Sequence, residues 1–195
     1  MSTPTNRFSN LLALAVPAAG LMTCVTSNGA VDMYLKFDGI EGESVARGFE
    51  KHVEILSWSW GASNAGASAG GGTGAGKVSM QDFHFTCKVN SASPPLLLAC
   101  AAGQHIPSAT FSFTRPSSSP TAGPETYYVV TLSDVTVSRF SSSRPAPTAT
   151  TSTTDFAPVE RITLNFTKIE FRYTPAAVAG STGGNPVTAT VAVAP

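Results

Sequence analysis

The sequence is poor in charged residues. Only 12% of its 195 residues are charged, and twelve Lys+Arg balance twelve Asp+Glu, so the net charge at pH 7 is zero. Soluble domains usually contain about 25% charged residues. Without a basic excess, the chain does not have the electrostatic attraction that holds nucleic acid or anionic lipid. The sequence therefore predicts no nucleic-acid partner, and so weakly charged a surface favours self-association.

Cysteine is also scarce. Cys24, Cys87 and Cys100 provide neither an even-numbered disulfide framework nor a C-x-x-C metal pair. We expect buried free thiols and folding in a reducing compartment. The histidines are not paired at metal-ligand spacing either. The sequence therefore predicts no metal site and no cofactor.

The chain lacks an uninterrupted apolar run of about 20 residues, so no stable membrane insertion is predicted. Residues 11–16 are mostly apolar and follow the single basic Arg7, but Pro17 and Gly20 interrupt the stretch beyond them. A complete signal peptide has a longer apolar region and a clear small-residue cleavage site. Residues 1–30 are therefore predicted to be an N-terminal extension. A weak signal peptide, an added arm and a start codon assigned too early all remain open explanations.

Alternation of apolar and polar residues is the main structural signal that is present. It predicts half-buried strands over residues 31–37 and 53–60. Three later segments, 78–89, 128–137 and 162–173, alternate as well, but each shifts phase by one residue midway. One extra residue in a strand is typical of a β-bulge, which bends and twists the strand. Long bulged strands favour a sheet curled into a barrel.

Aromatic residues mark one face of the second predicted strand. Leu56, Trp58 and Trp60 alternate with Ser57 and Ser59, so the three large side chains are predicted to share a face. Large aromatic side chains favour burial in a core or in an interface between chains. The sequence leaves both alternatives open for the tryptophans.

One helix is predicted, and its ends are marked. Ser93 is placed as the N-cap, Pro94 and Pro95 fit the first turn, and Gly103 ends the helix. The fold class that follows is all-β: a compact β-barrel of two curled antiparallel sheets with one flanking α-helix.

Segments without charge lie between the predicted elements and after the last one. They are rich in Gly, Ala, Ser, Thr and Pro, which favours loops and tails over packed structure. These segments are residues 61–76, 116–124, 145–154 and 174–195. The predicted organisation is an N-terminal extension at 1–30, a barrel domain at 31–175 and a flexible uncharged tail at 176–195.

Two glycine-rich motifs resemble catalytic sites in letters only. Residues 66–70 match G-x-S-x-G around Ser68, and residues 71–77 resemble a phosphate-binding loop ending at Lys77, with Val78 where Ser or Thr should follow. Both motifs need an adjoining helix, and the residues after Lys77 alternate like a strand. We therefore predict no catalytic residues and no enzyme activity, and we keep a hydrolase that uses this loop as an alternative.

Longer strings carry more specific information. They are VDMYLKFDGI at 31–40, EILSWSWG at 54–61, GKVSMQDFHFT at 76–86 and, near the C-terminus, VERI at 159–162 with FRYTP at 171–175. In this order they resemble the Hcp family, the haemolysin-coregulated proteins that form the inner tube of type VI secretion systems.

The resemblance implies a particular mode of action. Six copies would close into a ring, and rings would stack into a hollow tube that a contracting sheath expels and that carries effectors. The implied partners are further copies of the chain, the sheath, the spike and effectors, and the implied location is cytoplasmic assembly followed by secretion. The family has no catalytic residues to transfer. If residues 1–30 are a true signal peptide, an exported Hcp-like protein that forms an extracellular filament is the alternative.

One charged loop stands out among the uncharged ones. Residues 38–50 follow the first predicted strand and contain several charged side chains. In the family the corresponding extended loop reaches a neighbouring subunit, so the resemblance implies an inter-subunit contact here. The contact residues we predict are Glu41, Glu43, Ser44, Arg47 and Glu50.

Overall fold

Antiparallel strands dominate the computed structural model, which describes residues 31–64, 78–116, 124–144, 157–176 and 184–193. Within these ranges there are ten strands and one helix. In chain order they are β1 (Asp32–Phe37), β2 (Val53–Ser59), β3 (Ala62–Asn64), β4 (Val78–Met80), β5 (Phe83–Lys88), α1 (Ser93–Ala102), β6 (His105–Arg115), β7 (Glu125–Ser143), β8 (Val159–Asn165), β9 (Lys168–Tyr173) and β10 (Val187–Ala192).

Six strands close into a barrel. Their order is β7-β6-β1-β2-β5-β8, and β8 pairs again with β7 to complete the circle. Strands β9 and β10 extend the sheet from the first half of β7, and β3 pairs with β4 in a separate small sheet. The predicted all-β barrel with one flanking helix is confirmed.

Strand β7 changes partner at Asp134. Residues 128–133 pair with β9, residues 136–143 pair with β8, and Asp134 between them has a left-handed φ of 50°. This local turn of the backbone puts both Leu132 and Val135 into the core. The phase shift predicted at this position is therefore present, but it is not a bulge, because β6 pairs in unbroken register with β7 across Asp134; a change of pairing partner accompanies it instead.

The other two phase shifts are not bulges either, and the prediction of a bulged strand is wrong there as well. The shift at residues 81–82 is the break between β4 and β5, and the shift at residues 167–168 is the start of β9 after β8 ends. Alternation across two short strands and alternation across one bulged strand look the same in a sequence, because both insert unpaired residues into a period of two.

A bulge does occur in β2, between Ile55 and Ser57. Leu56 is the extra residue and is 47% exposed, so the prediction that it shares a face with the tryptophans is wrong. Beyond the bulge Trp58 pairs with Phe85 and turns inward. Trp58 and Trp60 are both half-buried and pack against the core.

The helix begins differently from the prediction. Ala92 occupies the N-cap position without a side-chain hydrogen bond, and Ser93 is the first helical residue. The Ser93 hydroxyl instead donates to the buried carboxylate of Glu160 at 2.6 Å, a contact that satisfies two groups otherwise costly to bury. The predicted end is correct, because Gly103 adopts the left-handed conformation with φ 62° and its N–H bonds to the Ala99 carbonyl.

The C-terminal segment contains a strand that the sequence analysis placed in a flexible tail at 176–195. Residues 187–192 pair with β9 along its whole length, from Val187 opposite Tyr173 to Ala192 opposite Lys168. Every side chain of β10 is exposed. Backbone hydrogen bonding to the edge of β9 therefore holds this strand, and its Val and Thr residues favour the extended conformation.

The thiols differ in accessibility, which leads to a labelling prediction. Cys87 is buried and free, Cys100 is half-buried and free, and Cys24 lies outside the described residues. Burial, followed by the charge of Glu160, raises the pKa of the Cys87 thiol to about 12. The buried neutral thiol of Cys87 makes its full contribution to stability below the ordinary thiol pKa of 9.0. Because ionisation is easier in the unfolded chain, this contribution is lost as the pH rises toward about 12.

Iodoacetamide at about pH 8 is expected to modify Cys100 in the native protein and to leave Cys87 unmodified, because the thiolate is the reactive form. Mass spectrometry of tryptic peptides measures both sites. Protein labelled in denaturant is the control, in which both thiols should react. Equal labelling of the two cysteines in the native state would contradict the prediction.

Candidate assembly surface

The loop between β1 and β2 is held in place by backbone hydrogen bonds. Across its base the Gly42 N–H donates to the Lys51 carbonyl at 2.9 Å, and the Ser44 N–H donates to the His52 carbonyl at 3.0 Å. The Lys51 N–H donates back to the Ser44 carbonyl at 2.8 Å. These bonds join the two sides of the loop outside the β1–β2 pairing, so residues 42–52 form an ordered projection, called the projecting loop below.

Ser44 positions the loop from inside. It is buried, and its hydroxyl donates to Glu54 at 3.0 Å while accepting the Ala46 N–H at 3.3 Å. A buried hydroxyl with both a donor and an acceptor partner is satisfied within its own chain. Of the five predicted contact residues, Ser44 is therefore the one that cannot present its side chain to a partner without rearrangement.

An aromatic anchor holds the loop to the barrel. Phe49 is buried and stacks on Tyr34 with ring centroids 4.3 Å apart, and His52 meets the Phe49 ring edge-on at 5.5 Å. Burial, then the charges of Asp32 and Glu54, raise the pKa of Tyr34. Phe49 is not among the predicted contact residues, although a lone aromatic residue within a charged segment was the available signal.

The charged residues of the loop fall into two groups. Glu41 forms an exposed ion pair with Lys51 at 3.0 Å, and the Glu50 carboxylate accepts the Gly48 N–H at 3.1 Å. Hydrogen bonds from its own backbone N–H and from that of Gly48 lower the pKa of Glu50. Glu41 and Glu50 thus stabilise the loop itself.

Glu43 and Arg47 have exposed side chains without an ion pair among the described residues. Val45, between them, is 90% exposed. Val45 lines one groove together with the exposed Leu56, and contiguous exposed apolar side chains are typical of a surface that another protein covers. The structure therefore brings together Glu43, Val45 and Arg47 as the outward part of the projecting loop, and Val45 was missed because exposure of a loop valine has no sequence signature.

Other exposed apolar residues lie near the loop and on the helix. A groove of about 310 Å³ runs between the loop and the barrel and is lined in part by Val45, Leu56 and Lys88. On α1, Leu97 and Leu98 face outward, and Leu98 is 68% exposed. The predicted helix and its apolar content were correct, but which leucines are outside depends on how α1 sits on the barrel.

The two glycine-rich sequence motifs lie outside the described residues. Ser68 and Lys77, the central residues of the two glycine-rich motifs, lie outside the described residues, as do residues 1–30. In the described part of the chain, His, Cys, Asp and Glu side chains form no group of three that could hold a metal ion. None of the described helices has the length and apolar character needed to cross a membrane.

Together, the closed barrel, helix α1 and the hydrogen-bonded projecting loop define a small β-barrel protein, and the exposed apolar residues of the loop and the helix form a surface of the kind that assemblies bury. Comparison with known families makes this specific: residues 34–173 match the family described as "Type VI secretion system effector, Hcp". The chain belongs to the Hcp family.

Individual relatives agree with this assignment. The chain is 35% identical over 162 residues to "Protein hcp1" of Pseudomonas aeruginosa, an alignment that covers 81% of this chain and 92% of that protein. Among solved structures it resembles Hcp1 from Salmonella typhimurium, at 30% identity and a TM-score of 0.64, covering 84% of this chain and 95% of the other. A type VI secretion system effector from Yersinia pestis matches at 26% identity and a TM-score of 0.60, covering 83% and 100%.

Proposed function

We propose that this chain is the tube subunit of a type VI-like secretion system, which forms hexameric rings that stack into a hollow tube and carry effectors. The match to the Hcp family over residues 34–173 carries this proposal. The chain also covers nearly the full length of its relatives, so the whole domain that those proteins use is present. Sheath, spike and effector proteins would be its partners, and assembly in the cytoplasm would precede secretion.

Cyclic assembly requires two different patches on each subunit, because a head-to-tail interface repeats until the ring closes. The projecting loop supplies one patch of suitable chemistry. Its backbone is held by hydrogen bonds at both sides of its base and by the Phe49–Tyr34 stack, so little conformational entropy is lost when a neighbour covers it. We propose Glu43 and Arg47 from the predicted five-residue set, together with Val45, as the outward inter-subunit contacts.

No catalytic role belongs to this proposal. A tube subunit works by self-assembly and carriage, and neither Ser68 nor Lys77 is assigned a reaction.

Replacing Val45 with aspartate is expected to abolish rings and tubes while leaving the fold intact. Val45 is 90% exposed, so the free energy of unfolding should change by no more than about 0.5 kcal/mol. In an assembled interface the same carboxylate would be desolvated without a partner, which weakens each contact by about 100-fold or more. Negative-stain electron microscopy and sedimentation velocity measure assembly.

Val187→Asp is the matched control, since it makes the same change at a 65% exposed valine of β10, outside the matched family region. It should assemble like the parent. Normal rings from Val45→Asp would refute the loop contact, whereas a parent chain that remains monomeric at high concentration would refute the tube function itself.

A further inference from the structure

Four neighbouring strands combine their outward side chains into one polar face. On β2, β5, β8 and β7 the inward residues are core aromatics and aliphatics, including Phe85, Ile162 and Leu164. The alternate positions therefore point outward. They form two cross-strand rows: Ser59, His84, Thr163 and Arg139 in the first, and Ser57, Thr86, Arg161 and Ser141 in the second.

This face is concave. The two flanking strands each contain a register irregularity, at Leu56 in β2 and at Ser138 in β7, and bulges increase local bend and twist. The result is a cavity of about 670 Å³ lined by side chains of both rows together with Asp82 and Ser138. We call it the polar cavity. Its volume lies within the range of small-molecule sites.

Hydrogen bonds within the polar cavity orient its neutral groups. His84 Nδ1 lies 2.9 Å from the Thr163 hydroxyl, and the hydroxyls of Ser57 and Thr86 lie 2.6 Å apart. The first contact occupies one ring nitrogen of His84 and leaves Nε2 for another partner. At the rim, Asp82 accepts hydrogen bonds from Ser138 at 3.2 Å and from Asn165 at 3.3 Å, so its carboxylate is engaged with neutral donors.

Among the described residues, the two arginines of the cavity have no such partner. Arg139 faces Thr163 across the β7–β8 pair, and Arg161 lies two residues along β8 on the same side. Diagonal neighbours of this kind have Cα atoms about 7–8 Å apart, within reach of one another for long side chains. Neither guanidinium forms an ion pair or hydrogen bond in the described part of the chain. Two adjacent unpaired arginines repel each other, and an anion between them relieves that repulsion.

We propose that the polar cavity binds an oxyanion, a carboxylate or phosphate group held between Arg139 and Arg161. The planar guanidinium suits both groups because it can donate two parallel hydrogen bonds to them. His84 Nε2 and the hydroxyls of the opposite wall bind the rest of the ligand. The residues of this site all belong to one barrel, so the site does not depend on tube formation.

Isothermal titration calorimetry on the full chain tests the proposal, with inorganic phosphate and citrate as separate probes at low ionic strength. Binding of phosphate but not citrate would identify a phosphate site, and the reverse would identify a carboxylate site. Arg139→Gln and Arg161→Gln should each weaken binding about tenfold or more, because each removes charge-assisted hydrogen bonds. Raising the salt concentration should weaken binding as well.

Arg172→Gln is the matched control, since Arg172 is an exposed arginine on β9 that does not line the cavity. Its affinity should equal that of the parent, and thermal melting should show that all three variants are folded. Absence of heat with both probes, or equal weakening by Arg172→Gln and the two cavity variants, would overturn the oxyanion site. Neither result bears on ring formation, which electron microscopy measures separately.

Discussion

Replacing Phe111 with alanine is expected to lower the free energy of unfolding by about 3–5 kcal/mol. Phe111 on β6 lies in the centre of the barrel, where its ring centroid is 4.2 Å from that of Phe83 and 5.8 Å from that of Phe85. Strands β6 and β5 are opposite one another in the six-strand circle. The three rings therefore connect opposite walls, and truncation leaves a cavity that neither wall can close without breaking its own strand pairing.

Urea unfolding followed by tryptophan fluorescence measures this change. Leu98→Ala on α1 is the control: Leu98 is exposed, so its truncation should alter the free energy by no more than about 0.5 kcal/mol. If Phe111→Ala lowers the free energy of unfolding by less than about 1 kcal/mol, the barrel centre can repack. That result would contradict the view that Phe111, Phe83 and Phe85 fix the distance between opposite walls.

Gly42→Ala is expected to displace the projecting loop and to prevent ring assembly. A methyl group on Gly42 would overlap the backbone carbonyl of His52 and the backbone nitrogen of Val53. Backbone atoms at the start of β2 cannot move aside as a flexible side chain can, so the loop must shift and lose the hydrogen bonds across its base. We expect a loss of about 1–3 kcal/mol in stability, together with the disappearance of rings in negative stain.

Gly39→Ala provides the comparison for this variant. Gly39 has φ 81° and open space around its missing Cβ, so alanine there introduces backbone strain of about 1 kcal/mol without any overlap. Rings should persist in Gly39→Ala. Normal assembly of Gly42→Ala, with stability no lower than that of Gly39→Ala, would contradict the prediction. The close approach of Gly42 to the His52 backbone would then not be needed for the inter-subunit contact of the projecting loop.

Part of the assembly surface could be found from sequence, and part could not. The charged segment around Glu43 and Arg47 was recognisable because it contrasts with uncharged neighbours and resembles the family's extended loop. The buried position of Ser44 and the internal pairing of Glu41 with Lys51 depend on how the loop folds back on itself. Exposure of Val45 depends on the same folding. Sequence therefore located the loop, and the structure separated its supporting residues from its outward ones.

The sequence by itself determined the helix, most of the barrel strands and their inward residues, the helix end at Gly103 and membership of the Hcp family. These features depend on local periodicity, on the unique backbone freedom of glycine and on long strings in order. The first two can be read within a window of a few residues, and the strings need only their order along the chain.

Only the tertiary structure decided which strand each strand pairs with. The exchange of partners at Asp134, the outward turn of Leu56 and the attachment of β10 to β9 all follow from pairing. The polar cavity has the same origin, because Arg139 and His84 are 55 positions apart in the sequence and become neighbours only through β8. Contacts between distant segments depend on the summed packing of the whole barrel, which no local pattern of residues encodes.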